Sequence, residues 1–93
     1  MRAPFRLDIP PHVADRVRKL PPAVKESVKE AFRLLSRDPG AGEPLRRDLE
    51  GYWKYRVRRY RVVYQRVRQV VRIVAVGHRR TVHEELGERL KGD

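Results

Sequence analysis

The sequence predicts an α+β domain in the order β-α-α-β-β-β, with an antiparallel sheet, two N-terminal helices packed on one of its faces and a short C-terminal helical segment. Three observations predict it. Phe5, Leu7 and Ile9 alternate with Arg6 and Asp8; apolar residues between Val13 and Leu35 recur at helical spacing; and from Tyr52 to Val76 aromatic and β-branched residues return to strand-like runs. With 93 residues the chain can enclose one small core, so residues 1–93 are read as a single domain.

The opening alternation makes a strand with one buried face, stopped by Pro10 and Pro11. Proline at a first helical turn is tolerated because its missing N–H would be unpaired there in any case, so a helix follows, with Val13, Val17 and Leu20 as its apolar stripe. His12 stands at its start. Pro21 and Pro22 break that helix and begin a second, in which Val24, Val28, Ala31, Phe32 and Leu35 line one face. Turn formers crowd the segment from Asp38 to Pro44, so the helix is expected to end near Arg37 and a loop to return over the sheet, pinned by Leu45 and Leu49. Strands are expected over Tyr52–Arg58, Tyr60–Val67 and Val70–Val76, antiparallel because their connections are short. Val82, Leu86 and Leu90 mark a final helical segment, which Gly87 weakens.

Charge carries the functional signal. The chain holds 23 Lys and Arg against 12 Asp and Glu, a formal net charge of +11. From Gly51 to His83 there is no acidic residue, while cations alternate with apolar side chains, so one sheet face is expected to carry a row of positive charge. Such a face suits a polyanion, phosphate backbones above all. With no cysteine, disulfide scaffolds, thiolate metal sites and Cys nucleophiles are excluded. The first twelve residues interrupt any apolar stretch with Arg2, Pro4, Asp8, Pro10 and Pro11, and no apolar run approaches the roughly 20 residues of a membrane helix. A soluble cytoplasmic protein, without membrane association, is the expectation.

Register turns the pattern into a site. If Arg58 and Arg59 form a two-residue hairpin turn, Val57 faces Tyr60, Arg56 faces Arg61 and Lys54 faces Val63. Lys54, Arg56 and Arg61 then share one face, and Trp53, Tyr55, Val57, Tyr60, Val62 and Tyr64 pack on the helices. Opposed like charges destabilise a strand pair unless an anion lies between them, which marks Arg56 and Arg61 as a functional placement.

The segments Val17-Arg18-Lys19-Leu20-Pro21, Pro44-Leu45-Arg46, Trp53-Lys54-Tyr55-Arg56-Val57, Tyr60-Arg61-Val62-Val63-Tyr64-Gln65 and Val76-Gly77-His78-Arg79-Arg80 together resemble the RelE/ParE superfamily of type II toxin–antitoxin toxins, more closely its RelE-like branch. Nearly the whole chain takes part. The resemblance implies a RelE-like fold and a metal-independent endoribonuclease that needs no cofactor, cleaves mRNA in the ribosomal A site, inhibits translation and is neutralised by a cognate antitoxin in a hetero-oligomer. It implies catalytic positions at Lys54, Arg56, Arg61 and Arg79. Two departures stand out: His83 lies where many members carry Tyr, and Arg58-Arg59 replace a Gly-Asp type turn.

RNA can be cut without metal when its 2′-hydroxyl attacks the adjacent phosphorus, given a base, an acid for the departing 5′-oxygen, and cations around the phosphorane. Arg61 and Arg79 are the candidate clamps, since a guanidinium holds two phosphate oxygens in a planar fork. Lys54 is the candidate base, because neighbouring like charge favours a neutral amine. His83 is the candidate acid, imidazole being the side chain that ordinarily titrates nearest neutrality. Arg58, Arg59, His78 and Arg80 are candidate RNA-binding residues, and Arg66, Arg68 and Arg72 read as general backbone contacts or solubility charges. His78 and His83 lack a nearby carboxylate or thiol to complete a metal shell, so no metal site is expected. Two other functions stay open: a ParE-like inhibitor of DNA gyrase without nuclease chemistry, and a non-catalytic nucleic-acid-binding module.

Overall fold

Proline decides where both N-terminal helices begin. After strand β1 (Arg6–Asp8), Pro11 opens helix α1 (Pro11–Arg18) and Pro22 opens helix α2 (Pro22–Arg37), each preceded by another proline as the capping residue. The computed structural model describes residues 4–91, apart from the side chains of residues 48, 85 and 88–91. Val13 and Val17 of α1, Leu20 just beyond it, and Val28, Ala31, Phe32 and Leu35 of α2 are buried, so the helical stripes fall where their spacing placed them.

The chain then runs through a 3-10 turn at Pro39–Ala41, strand β2 (Glu43–Pro44), a second such turn at Arg47–Leu49, and strands β3 (Tyr52–Val57), β4 (Tyr60–Val67) and β5 (Val70–His78), before helix α3 (Val82–Lys91). One five-stranded sheet results, in the order β1-β5-β4-β3-β2. Two features differ from the sequence expectation. The sheet is mixed rather than antiparallel, because β1 pairs parallel with β5. Side chains alternate identically in parallel and antiparallel strands, so alternation carries no information about strand direction. The two-residue β2 is additional, and is too short to show any alternation.

The β3–β4 hairpin has the expected register: Val57 opposite Tyr60, Arg56 opposite Arg61, Lys54 opposite Val63. Its turn is reached at a local cost. Arg58 adopts the left-handed region at φ 56°, as does Arg68 in the β4–β5 turn, where a Cβ crowds the following carbonyl.

The main core lies between the helices and one sheet face. It joins the helical residues above to Phe5, Val57, Val62, Tyr64, Val71, Ile73 and Val76, with Trp53, Tyr55 and Tyr60 packed against it. The other face was expected to be a row of charge, and this needs correction. Val63 and Ala75 on that face are buried beneath Val82 and Leu86 of α3, with Leu45, Leu49, Tyr52 and Val74 around them. Leu90, the third expected apolar position of this helix, lies outside the described side chains. Apolar positions on both faces of the central strands require cover on both faces, so α3 restricts the charged surface to the hairpin end.

A β-bulge makes this double burial possible. Val63 pairs with Ala75 but Tyr64 pairs with Ile73, which leaves Val74 over and reverses the alternation of β5. Beyond the end of β1, the outer edge of β5 is held from α1, where His12 Nε2 lies 3.1 Å from the Val74 carbonyl oxygen and Arg16 Nε donates to that of Val76 at 3.1 Å. Among the described residues no helix is long and apolar enough to cross a membrane.

Tyr64, at the sheet centre, is fully buried, and its hydroxyl ties the loop before β2 to the sheet. It donates to the Pro39 carbonyl at 2.6 Å and accepts from the Gly42 N–H at 3.1 Å. Desolvation by burial pushes the phenol's pKa above its ordinary value, against the hydrogen bond from Gly42.

Two measurements check these points. Arg68→Gly should relieve the left-handed turn and raise stability by about 0.5–1 kcal/mol, read as a shift in denaturant midpoint with unchanged m-value. Because the folded state raises the Tyr64 pKa, its contribution is fully present below the unfolded value near 10 and is lost as pH rises through the higher native value. Unfolding curves from pH 8 to 11.5 should therefore show less alkaline loss for Tyr64→Phe, although its plateau at pH 8 lies about 1–2 kcal/mol lower for want of the hydroxyl's hydrogen bonds.

Candidate functional site

The hairpin end of the sheet gathers cations because of where α3 stops covering it. Across the face that α3 partly covers, one row reads Glu43, Lys54, Val63 and Ala75 from β2 to β5, and the next reads Arg56, Arg61 and Gly77. The first row passes from charged residues at the sheet edge to Val63 and Ala75 buried under the helix. In the second, Arg56 and Arg61 stand side by side, and Gly77 brings no side chain next to them. The result is an open cationic shelf with an apolar wall behind it.

Arg61 is its fixed member. Its Nη1 donates to the carbonyl oxygens of Arg58 at 3.1 Å and Tyr60 at 2.8 Å, so the hairpin turn that sets the register also holds the guanidinium. Desolvation lowers its pKa from the usual arginine value, with the like charges of Arg56 and Arg79 acting in the same sense and Glu43 opposing them. The guanidinium stays charged under any physiological condition, with Arg56 and Arg79 both close enough to act on it. A bound anion would relieve this repulsion, since directly opposed like charges destabilise a strand pair.

Arg79 arrives from the other side. Past the end of β5 its backbone N–H donates to the Arg59 carbonyl at 2.7 Å, which anchors the strand's exit against the β3–β4 turn and puts Arg79 beside the hairpin. Lys54 lies one row back from Arg56 on the same face and is half-buried. Arg58 and Arg59 are exposed on the turn, and Arg80 is exposed on the segment leading to α3.

The histidines are placed differently from one another. His83 is exposed in the first turn of α3, next to the buried Val82. His78 pairs with Tyr60 and meets its ring edge-on, with centroids 5.6 Å apart. Tyr60 packs against the helix-side core, so the bulge in β5 has turned His78 to the face opposite Arg61. There its Nδ1 accepts the Arg80 N–H at 3.2 Å and so shapes the loop that follows Arg79.

Sequence reading missed Glu43. Its pairing with Lys54 brings a carboxylate to the shelf, with Oε1 4.0 Å from Arg56 Nε. Both side chains are largely exposed, so this ion pair contributes little to stability. The isolated Glu in a Gly/Pro-rich loop gave no periodic signal; only the β2–β3 pairing places it.

Comparison with known proteins agrees with the geometry. The family model described as the ParE toxin of type II toxin-antitoxin system, parDE, matches residues 7–83. Among solved structures, a chain of the toxin–antitoxin complex RelBE2 from Mycobacterium tuberculosis superposes with a TM-score of 0.73 at 34% identity, covering 84% of this chain and 94% of that one. A mutant of the Escherichia coli toxin RelE in the free state gives 0.72 at 25% identity over 92% and 93% of the two chains. The intact E. coli RelBE toxin–antitoxin complex gives 0.69 at 27% identity over 80% and 95%. No curated protein sequence matches the chain. With a family model spanning most of its length and a shelf of cations at the open end of a RelE-like sheet, the chain belongs to the RelE/ParE superfamily and is a toxin of a type II toxin–antitoxin system.

Proposed function

We propose that this toxin is a metal-independent endoribonuclease that cleaves mRNA on the ribosome in the cytoplasm, and that an acidic antitoxin neutralises it in a hetero-oligomer. The observation that carries the reading is the direct opposition of Arg56 and Arg61 on an exposed shelf, with Arg79 anchored to the adjoining turn. A phosphodiester seated between these guanidiniums would relieve their repulsion, and the relief grows as the phosphorane gathers negative charge in the transition state. Arg61 and Arg79 clamp the non-bridging oxygens, Arg56 completes the cationic rim, and Lys54 takes the proton from the attacking 2′-hydroxyl. His83 delivers a proton to the departing 5′-oxygen. Arg58, Arg59 and Arg80 hold flanking phosphates, while His78 orders the loop that presents Arg80. The antitoxin reading rests on the net charge of +11, which an acidic partner would cancel, and on the toxin–antitoxin complexes among the solved structures.

The family model's ParE description favours a second reading, in which the same fold poisons DNA gyrase without cutting RNA. Mapping mRNA 5′ ends after expression separates the two. The parental toxin should generate new ends at discrete positions, and Arg61→Ala and Arg79→Ala should each reduce them about 100-fold or more, the scale of losing a transition-state charge contact. Gyrase inhibition in a supercoiling assay, with mRNA ends unchanged, would reverse the ranking. A pH–rate profile tests the acid and base assignments: Lys54→Ala cleaving at the parental rate across pH would remove Lys54 from the mechanism, and His83→Gln with an unchanged alkaline limb would remove His83.

A further inference from the structure

Behind the shelf lies a buried contact that the chemistry above does not use. The Tyr64 hydroxyl bridges the Pro39 carbonyl and the Gly42 N–H, both in the loop that delivers β2. Gly42 is wedged so closely that a Cβ there would stand 2.5 Å from the Tyr64 hydroxyl and 2.5 Å from the Lys54 carbonyl oxygen. The next residue, Glu43, pairs with Lys54 and faces Arg56. β2 has only two residues of its own, and the Leu45 N–H bond to the Tyr52 carbonyl at 2.8 Å follows it. So short a strand cannot fix its own position, and the phenol supplies an anchor on its N-terminal side.

We propose that Tyr64 is a positioning residue for the cationic shelf: through Gly42 its hydroxyl sets β2 against β3 and thereby holds the Glu43 carboxylate in place to orient Arg56 beside Arg61. The inference rests on the nuclease reading and deepens it. A phenol in the middle of an apolar core is costly unless its oxygen is used, and here both of its hydrogen-bonding roles are spent on one loop. Phenylalanine would fill the core equally well, so packing does not explain the hydroxyl. Its position does: the loop it holds is the one that brings an acidic residue against β3 at the shelf.

The experiment compares RNA cleavage by purified parental toxin, Tyr64→Phe, Glu43→Gln, the double variant and Arg61→Ala, with Val28→Ala as a control for destabilised packing in the helix-side core. Tyr64→Phe should lower kcat about 10- to 100-fold with little change in KM, the penalty of a small misplacement of catalytic groups. The double variant should lose no more than the worse single variant, because Tyr64 acts through Glu43. Val28→Ala should keep its kcat at a temperature where it is folded. Hydrogen exchange at the Gly42 amide should quicken in Tyr64→Phe, and Gly42→Ala, which attacks the same contact from the other side, should reproduce the kcat loss. Parental kcat in folded Tyr64→Phe, losses that add in the double variant, an equal loss in Val28→Ala, or unchanged exchange at Gly42 would each overturn the positioning role. If Arg61→Ala is inactive while Tyr64→Phe is fully active, only this inference falls; if the parental toxin cuts no RNA, the nuclease reading falls and takes this one with it.

Discussion

The register of the β3–β4 hairpin is the constraint on which the rest depends. A slip of one residue would send every side chain of one strand to the other face, placing Arg61 in the apolar core and Tyr60 and Val62 in solvent. What opposes it is the apolar set on the helix side, where Val57, Val62 and Tyr64 are all buried and would all change faces or lose their partners in a one-residue slip. The turn accepts a left-handed arginine to keep that register, a local strain overruled by core packing. The same turn carbonyls then hold the Arg61 guanidinium, so the device that fixes the fold also aims the charge.

Two further features decide the extent of the charged surface. The extra residue in β5 lets Val74 and Ala75 both contribute to the α3-side cluster while Val71, Ile73 and Val76 serve the other core. Helix α3 seats on that second cluster and closes the sheet down to its hairpin end. The shelf is therefore what remains of a face that would otherwise be covered. The bulge also separates two neighbours in sequence: Arg79 is led to the hairpin turn, whereas His78 is turned to the helix side.

The shelf is a locally unfavourable arrangement of charge. Arg56 opposite Arg61 is an unfavourable pair, Arg61 is partly desolvated, and Glu43 only partly offsets the repulsion. A fold selected for stability alone has no reason to keep that arrangement. A site that must grip a polyanion does, because the repulsion in the free protein becomes attraction to the ligand. An acidic partner would draw on the same gain, so under the proposed nuclease reading neutralisation and substrate binding would share one electrostatic origin.

Much of this was legible in the residues. Proline pairs and apolar spacing set both helix starts and the end of α2, since local sterics and a single buried stripe determine them, while α1 stops two residues short of the expected Leu20. The hairpin register followed from alternation on either side of Arg58 and Arg59, and with it the shared face of Lys54, Arg56 and Arg61. The parallel pairing of β1, the bulge at Val74, the burial of Val63 and Ala75 beneath α3, the face taken by His78, and the approach of Glu43 to Arg56 were settled only by the tertiary structure. The division has a physical cause. A strand's own sequence specifies which of its residues lie together on a face, but which neighbour it pairs with and what covers it depend on contacts between segments far apart in the chain, and those contacts leave no period in the sequence.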